Sequence, residues 1–235
     1  MRKLIDLWRL KTQKYYVIDD FFSDDTCAQL RSYALKPRAE EHHELFWDYY
    51  SLDYDVSIVD KVSQNHQSSY IKNLIAAGTP PQALSLRNLL PQIQLKVPLA
   101  EESKYHRAWS FSYDTVSNGI PPHADPSFIQ INIWVTPDEC VFDHEKNGLI
   151  VYKRQAPSDW PWEDYNGNDR MINHYLEGSD YDVIPYKCNR AVVFEGKTFH
   201  ASQQVHMKPG HKNKRVNFTF LYGGEDPGPN KTIYV

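Results

Sequence analysis

The sequence predicts an α+β, mainly β fold, with a jelly-roll or small-barrel core preceded by supporting helices. Three observations carry that expectation. The 235 residues include 16 tyrosines, 6 tryptophans and 10 phenylalanines, types that suit strands and aromatic-lined pockets. From Ala108 the apolar period becomes two, with Trp109, Phe111 and Tyr113 alternating with Ser110 and Ser112, the pattern of a half-buried strand. Further apolar runs then follow at short intervals, separated by turn-forming residues, as in an antiparallel core.

Taken in order, residues 1–107 read as support. Met1 to Leu10 mixes Arg2, Lys3, Asp6 and Arg9 among apolar residues, which interrupts any signal-peptide core, and no later apolar run approaches bilayer-spanning length. A soluble, cytoplasmic protein with no membrane partner is expected. Tyr15 to Phe22 is extended and apolar, and Ser23 followed by Asp24 and Asp25 is an N-cap with first-turn acids, opening a helix to about Leu35. Glu40 to Asp60 is acidic and Tyr-rich, and Gln64 to Gln94 holds two short helices parted by Gly78-Thr79-Pro80-Pro81. The core spans 108–222, with strands at Phe128 to Val135, Gly148 to Lys153, Ala191 to Glu195, His200 to Val205 and Arg215 to Tyr222. Residues 155–190 form an insert too long for a structureless connection and rich in Trp and Tyr. A short tail, 223–235, closes the chain. With no internal repeat or linker, 1–235 reads as one domain.

Composition removes several function classes. A formal net charge of -4, from 26 basic and 30 acidic residues, gives no basic footprint for nucleic acid. Cys27, Cys140 and Cys188 are odd in number and widely spaced, so neither a disulfide framework nor a cysteine zinc site is suggested.

The chemistry-bearing pattern is His123-x-Asp125. On an extended segment, residues two apart leave the same face and can meet one ion. The motif alone is weak, because ten His and nineteen Asp predict about one such pair by chance, and His42-x-Glu44 is a similar accident. Position raises its value: it follows the alternating aromatic strand, sits among Pro121, Pro122 and Pro126, and precedes a strong strand. An open iron(II) site takes two imidazoles and a carboxylate on one face of an octahedron. His200, just after an apolar strand and the Glu195-Gly196 turn, is the expected third ligand. His206 is a rival on the same strand face, but six residues at about 3.3 Å each put it roughly 20 Å away. The other histidines, including His106, His174 and His211, read as ordinary surface or core residues.

In Tyr113 to Asp125, Arg190 to Val205 and Arg215 to Tyr222 the sequence resembles the Fe(II)/2-oxoglutarate oxygenases of double-stranded β-helix fold. Tyr16-Val17-Ile18-Asp19-Asp20-Phe21-Phe22-Ser23 is similar to the opening of their prolyl 4-hydroxylase-like branch. The resemblance implies iron ligation by His123, Asp125 and His200, with a basic residue on the last strand holding the distal carboxylate of 2-oxoglutarate. Here that residue is Arg215, where prolyl hydroxylases usually have lysine. A guanidinium can grip a carboxylate with two parallel hydrogen bonds, which a lysine cannot. Strand parity sets Arg215, Asn217 and Thr219 on one face and Val216, Phe218 and Phe220 on the other, and places Gln130, Asn132 and Trp134 opposite the isoleucines of their strand. Asn132 and Asn217 are thereby candidates to face the co-substrate, as is Tyr113 from its place in the resemblance.

The expected activity is a dioxygenase that uses O2 and 2-oxoglutarate to hydroxylate an unactivated C–H of a small-molecule or peptidyl substrate, releasing succinate and CO2. Retention of Asp125 speaks against halogenation, for which related enzymes have a small residue there. The alternative is a jelly-roll or cupin-like binding module without oxygenase activity, in which Arg215 would have no purpose. The insert is expected to lie over the site as a lid. From Ala156 to Tyr186 it carries seven acids against Arg170, leaving -6, which suggests a substrate neutral or cationic near its reacting end.

Overall fold

The computed structural model describes residues 2–35, 47–51 and 86–223. The first of the two helices expected between 64 and 94, most of the acidic Tyr-rich stretch and nearly all of the tail lie outside them. The chain runs α1 (Arg2–Gln13), β1 (Tyr15–Ile18), α2 (Asp24–Ala34), β2 (Trp47–Ser51), α3 (Leu86–Lys96), α4 (Pro98–Glu102), β3 (Tyr105–Tyr113), β4 (Val116–Ser117) and β5 (Ile129–Trp134). It continues with β6 (Leu149–Gln155), α5 (Trp162–Tyr165), α6 (Asp169–Leu176), β7 (Tyr181–Ile184), β8 (Ala191–Phe194), β9 (Thr198–Ser202), β10 (Val205–His206) and β11 (Arg215–Tyr222).

The larger sheet has the strand order β1-β8-β5-β11-β3-β2 and is antiparallel throughout. A three-stranded sheet, β7-β6-β9, forms the second layer, and β10 pairs with β4 in a separate ribbon. The outer face of the large sheet carries Ile129, Ile131, Ile133, Val216, Phe218 and Phe220, packed against Leu10, Leu30, Leu89 and Ile93 of the helices. This is the apolar stripe that parity predicts. Its inner face, bearing Trp134, Val192 and Phe194, meets Leu149, Val151 and Ile184 of the second sheet.

Ser23 caps α2 as its sequence indicates: its Oγ accepts from the Thr26 N–H at 3.1 Å, with Asp24 and Asp25 in the first turn. The N-terminal helix α1 is not foreseen in the sequence. It holds because Leu10 and the partly buried Leu7, three apart on one face, seal the edge of the core. The expected strand from His200 to Val205 differs as well. His200 lies in the middle of β9, and the chain leaves that strand at Gln203 before β10 begins.

Candidate functional site

His123 and His200 face one another across an antiparallel bridge. The His123 N–H donates to the His200 carbonyl at 3.0 Å and the reciprocal bond is 2.9 Å. Two residues on, the Asp125 N–H donates to the Gly196 carbonyl at 2.8 Å. A Cβ at Gly196 would lie 2.8 Å from the Asp125 carbonyl oxygen and 2.1 Å from Ser127 Oγ, so the close approach of this turn requires glycine. Backbone pairing thus joins the His-x-Asp segment to β9. The ligand atoms of His123, Asp125 and His200 all lie within 4.8 Å of one another.

The neighbouring groups fix how these side chains point. His123 Nδ1 is 2.8 Å from the Pro121 carbonyl, and His200 Nδ1 is 3.1 Å from the Thr198 carbonyl. A carbonyl only accepts, so each Nδ1 carries the proton and each Nε2 keeps its lone pair for a metal. Asn166 donates from Nδ2 to Asp125 Oδ1 at 3.2 Å and to the Ala124 carbonyl at 2.9 Å. Asp125 Oδ2, 3.6 Å from His200 Nε2, is buried with no hydrogen-bond partner. Burial holds the His200 imidazole well below its ordinary pKa, reinforced by His123 and only partly opposed by the Thr198 carbonyl. Burial also raises the Asp125 carboxyl, against lowering contributions from His123, Gln130 and Asn166. A neutral imidazole and a carboxylate lacking a compensating charge are the donor set a cation would complete.

The cavity that holds this cluster is also lined by Tyr113, Asn132, Arg215 and Asn217. Arg215 is 1% exposed. Its Nε donates to the Asn147 carbonyl at 2.9 Å, and its guanidinium lies 4.6 Å from the Tyr113 ring and 5.6 Å from the Trp134 ring. Nη1 is buried without a hydrogen-bond partner, and among the described residues no carboxylate pairs with it. Asn147 can turn its carbonyl inward because it adopts a left-handed conformation, φ 71°, which asparagine tolerates better than most residues. The Tyr113 hydroxyl is 3.1 Å from Ser202 Oγ. Asn132 Oδ1 accepts from Thr219 Oγ1 at 2.8 Å, and Asn217 Nδ2 reaches the same hydroxyl at 3.5 Å while its Oδ1 has no partner. A cationic, partly unsatisfied group sealed in a cavity fits an anionic ligand, and a dicarboxylate reaching from the cluster to Arg215 would supply one.

His206 is not part of this cavity. It lies on β10, its ring against Phe142 and its Nδ1 3.9 Å from Asp143. Lys214 faces away as parity requires and pairs with Asp114 at 3.2 Å.

The insert departs from its expected place. Trp160, Trp162 and Tyr175 pack with Tyr165, Ile172 and Leu176 around Phe199, which alternates with His200 and so lies on the outer face of β9. Among the described residues, none of 155–190 lines the cavity. The aromatic side chains of the insert pack against the sheet, so its -6 charge is not carried by residues that line the cavity. The insert touches the His-x-Asp segment through Asn166, which donates to Asp125, and through the Tyr165 carbonyl, which accepts from the Ala124 N–H at 2.9 Å. Sequence spacing gives no sign of Asn166 or of Asn147. The inner face of Gln130 is legible from parity, its nearness to the cluster is not.

No protein-family model and no curated protein sequence matches the chain. Solved structures do. The α-ketoglutarate-dependent carbocyclase SnoK from nogalamycin biosynthesis aligns at a TM-score of 0.56 and 13% identity, over 96% of this chain and 87% of that one. HygX from Streptomyces hygroscopicus, solved with nickel and 2-oxoglutarate, aligns at 0.55 and 9% identity, over 94% and 86%. The α-ketoglutarate-dependent epimerase SnoN aligns at 0.52 and 9% identity, over 94% and 82%. The fold shared with them is the double-stranded β-helix.

Proposed function

We propose that this chain is an Fe(II)- and 2-oxoglutarate-dependent dioxygenase, a single domain over 1–235. The observation that carries the proposal is one cavity holding both a His-Asp-His cluster and a buried guanidinium that, among the described residues, lacks an anionic partner. His123 Nε2, one oxygen of Asp125 and His200 Nε2 would hold the metal. Arg215 would take the distal carboxylate of 2-oxoglutarate, with Tyr113, Asn132 and Asn217 lining the space between. Held by these residues, iron would supply the activation of O2, coupled to decarboxylation of 2-oxoglutarate to succinate and CO2 and to oxidation of a substrate C–H. The protein's own part would be to present the three donors of His123, Asp125 and His200 to the metal and the Arg215 guanidinium to the co-substrate.

Hydroxylation is the proposed outcome, on a small-molecule or peptidyl substrate. SnoK and SnoN, by their descriptions a carbocyclase and an epimerase, use the same co-substrate for other outcomes. A cupin-like binding module would explain the cluster but not Arg215, since burying an unpaired guanidinium is costly. Among the described residues no helix is long and apolar enough to cross a membrane.

The test is anaerobic addition of Fe(II) and then 2-oxoglutarate, which should produce the weak visible charge-transfer band of the chelate, followed by iron-dependent succinate release in air. Absence of both would leave the binding-module alternative.

A further inference from the structure

Parity puts Arg215 on the inner face of β11, but so long and flexible a side chain is not aimed by its strand alone. Its aim comes from Asn147, in the turn that leads into β6. Asn147 is 0% exposed, and each of its polar atoms is engaged. Its N–H donates to the Gln204 carbonyl at 2.9 Å. Its side chain lies along β10, where Oδ1 accepts from the His206 N–H at 2.6 Å and Nδ2 donates to the carbonyls of His206 at 3.3 Å and Asp143 at 2.9 Å. The amide thus pairs with the His206 backbone as a neighbouring strand would, and the imidazole of His206 takes no part. The peptide that follows is fixed at both ends: the Asn147 carbonyl accepts from Arg215 Nε at 2.9 Å, and the Gly148 N–H donates to Gln203 Oε1 at 3.0 Å. Asn147 meets the arginine at φ 71°, a conformation most residues avoid and that these side-chain bonds hold in place.

Resting on the reading of Arg215 as the co-substrate anchor, we infer that Asn147 is a positioning residue for it: its side chain, locked onto β10, holds its carbonyl against Nε and so sets which edge of the guanidinium meets the ligand. With Nε taken, the edge left to grip both oxygens of a carboxylate is the one between the two terminal nitrogens, of which Nη1 is buried with no partner. A peptide carbonyl is neutral, so it steers the guanidinium without cancelling its charge. A carboxylate in its place would compete with the co-substrate for that charge.

The experiment compares wild type with Asn147→Gly, which tolerates the left-handed conformation but has no side chain to hold it, and with Asn147→Ala, which also disfavours that conformation. Calorimetric titration of the anaerobic iron-loaded proteins uses two ligands: 2-oxoglutarate, and 2-oxobutyrate, which shares the 2-oxo acid end and has no distal carboxylate. Fe(II) affinity is titrated separately. Loss of a hydrogen bond that aims a charged group is expected to weaken 2-oxoglutarate roughly 10–100-fold, more in the alanine variant, with 2-oxobutyrate and Fe(II) affinities unchanged. In an Arg215→Lys background, where a methylene replaces Nε, Asn147→Gly should cost nothing further. Equal losses for the two ligands, a parallel fall in Fe(II) affinity, unchanged 2-oxoglutarate affinity, or a full additional loss in the lysine background would each overturn the inference. Failure of wild type to prefer 2-oxoglutarate over 2-oxobutyrate would instead remove the anchor reading of Arg215, and Asn147 would lose its role with it.

Discussion

The two ends of the cavity are built by different means. At the metal end, three side chains from two segments about 75 residues apart are brought together by backbone pairing, the His123–His200 bridge and the Asp125–Gly196 bond. Half of their side-chain polar atoms are then fixed by Pro121, Thr198 and Asn166. At the far end a single residue, Arg215, is aimed by the alternation of one strand and steadied by one carbonyl, with a guanidinium nitrogen left unsatisfied. Under the proposed function, the His-Asp-His end is pre-set for a cation, and the arginine end, with one nitrogen unsatisfied, is set for an anion. Removing a part of one should leave the other intact, and that independence can be tested.

The largest effect is expected at the ligands. His123→Ala, Asp125→Ala or His200→Ala should each abolish iron-dependent succinate release and cut Fe(II) affinity in anaerobic titration, because two donors do not make a facial site. If any of the three kept full activity, the pre-set end would have to be redrawn.

Next comes Arg215→Ala. Removing one partner of a buried charged pair costs about 3–5 kcal/mol, or roughly two to three and a half decades of 2-oxoglutarate affinity. Fe(II) affinity should be unchanged, since no ligand is touched. Arg215→Lys should recover part of the loss, a single charge without the fork. Calorimetric titration of 2-oxoglutarate into the anaerobic iron-loaded variants separates the cases, and a parallel fall in iron affinity would show that the ends are coupled.

Asn166→Ala should act at the metal end alone and more gently, weakening metal binding on the order of tenfold through the freed Asp125 oxygen. Equal losses of metal and 2-oxoglutarate would instead point to collapse of the insert. The smallest expected effects are nil: His206→Ala and Lys214→Ala should leave both affinities within error, as each side chain is engaged with an acid outside the cavity.

Legibility in the sequence follows the same division. Parity on β11 and β5 is a local property, so the inner row Arg215, Asn217, Gln130 and Asn132 and the outer row of isoleucines and phenylalanines can be read directly. The cap at Ser23 is equally local. His123 and Asp125 share a face for the same reason, yet their choice of His200 over His206 needed more than spacing. In the folded chain β9 ends before His206 and puts that residue in another ribbon.

What the sequence determined by itself is whatever a period of two or a cap can encode: the mainly β class, the face of each core strand and the residue types of the site. Tertiary structure alone decided the rest. Phe199 and His200 are adjacent in sequence, and only the packing of the two sheets tells that the first draws the aromatic insert to the outside while the second enters the cavity. Asn166 and Asn147 reach the site from a helix end and a turn that no periodicity marks. Their roles depend on long-range pairing, in which the partner is set by the burial gained over the whole interface and not by any signal near the residue itself.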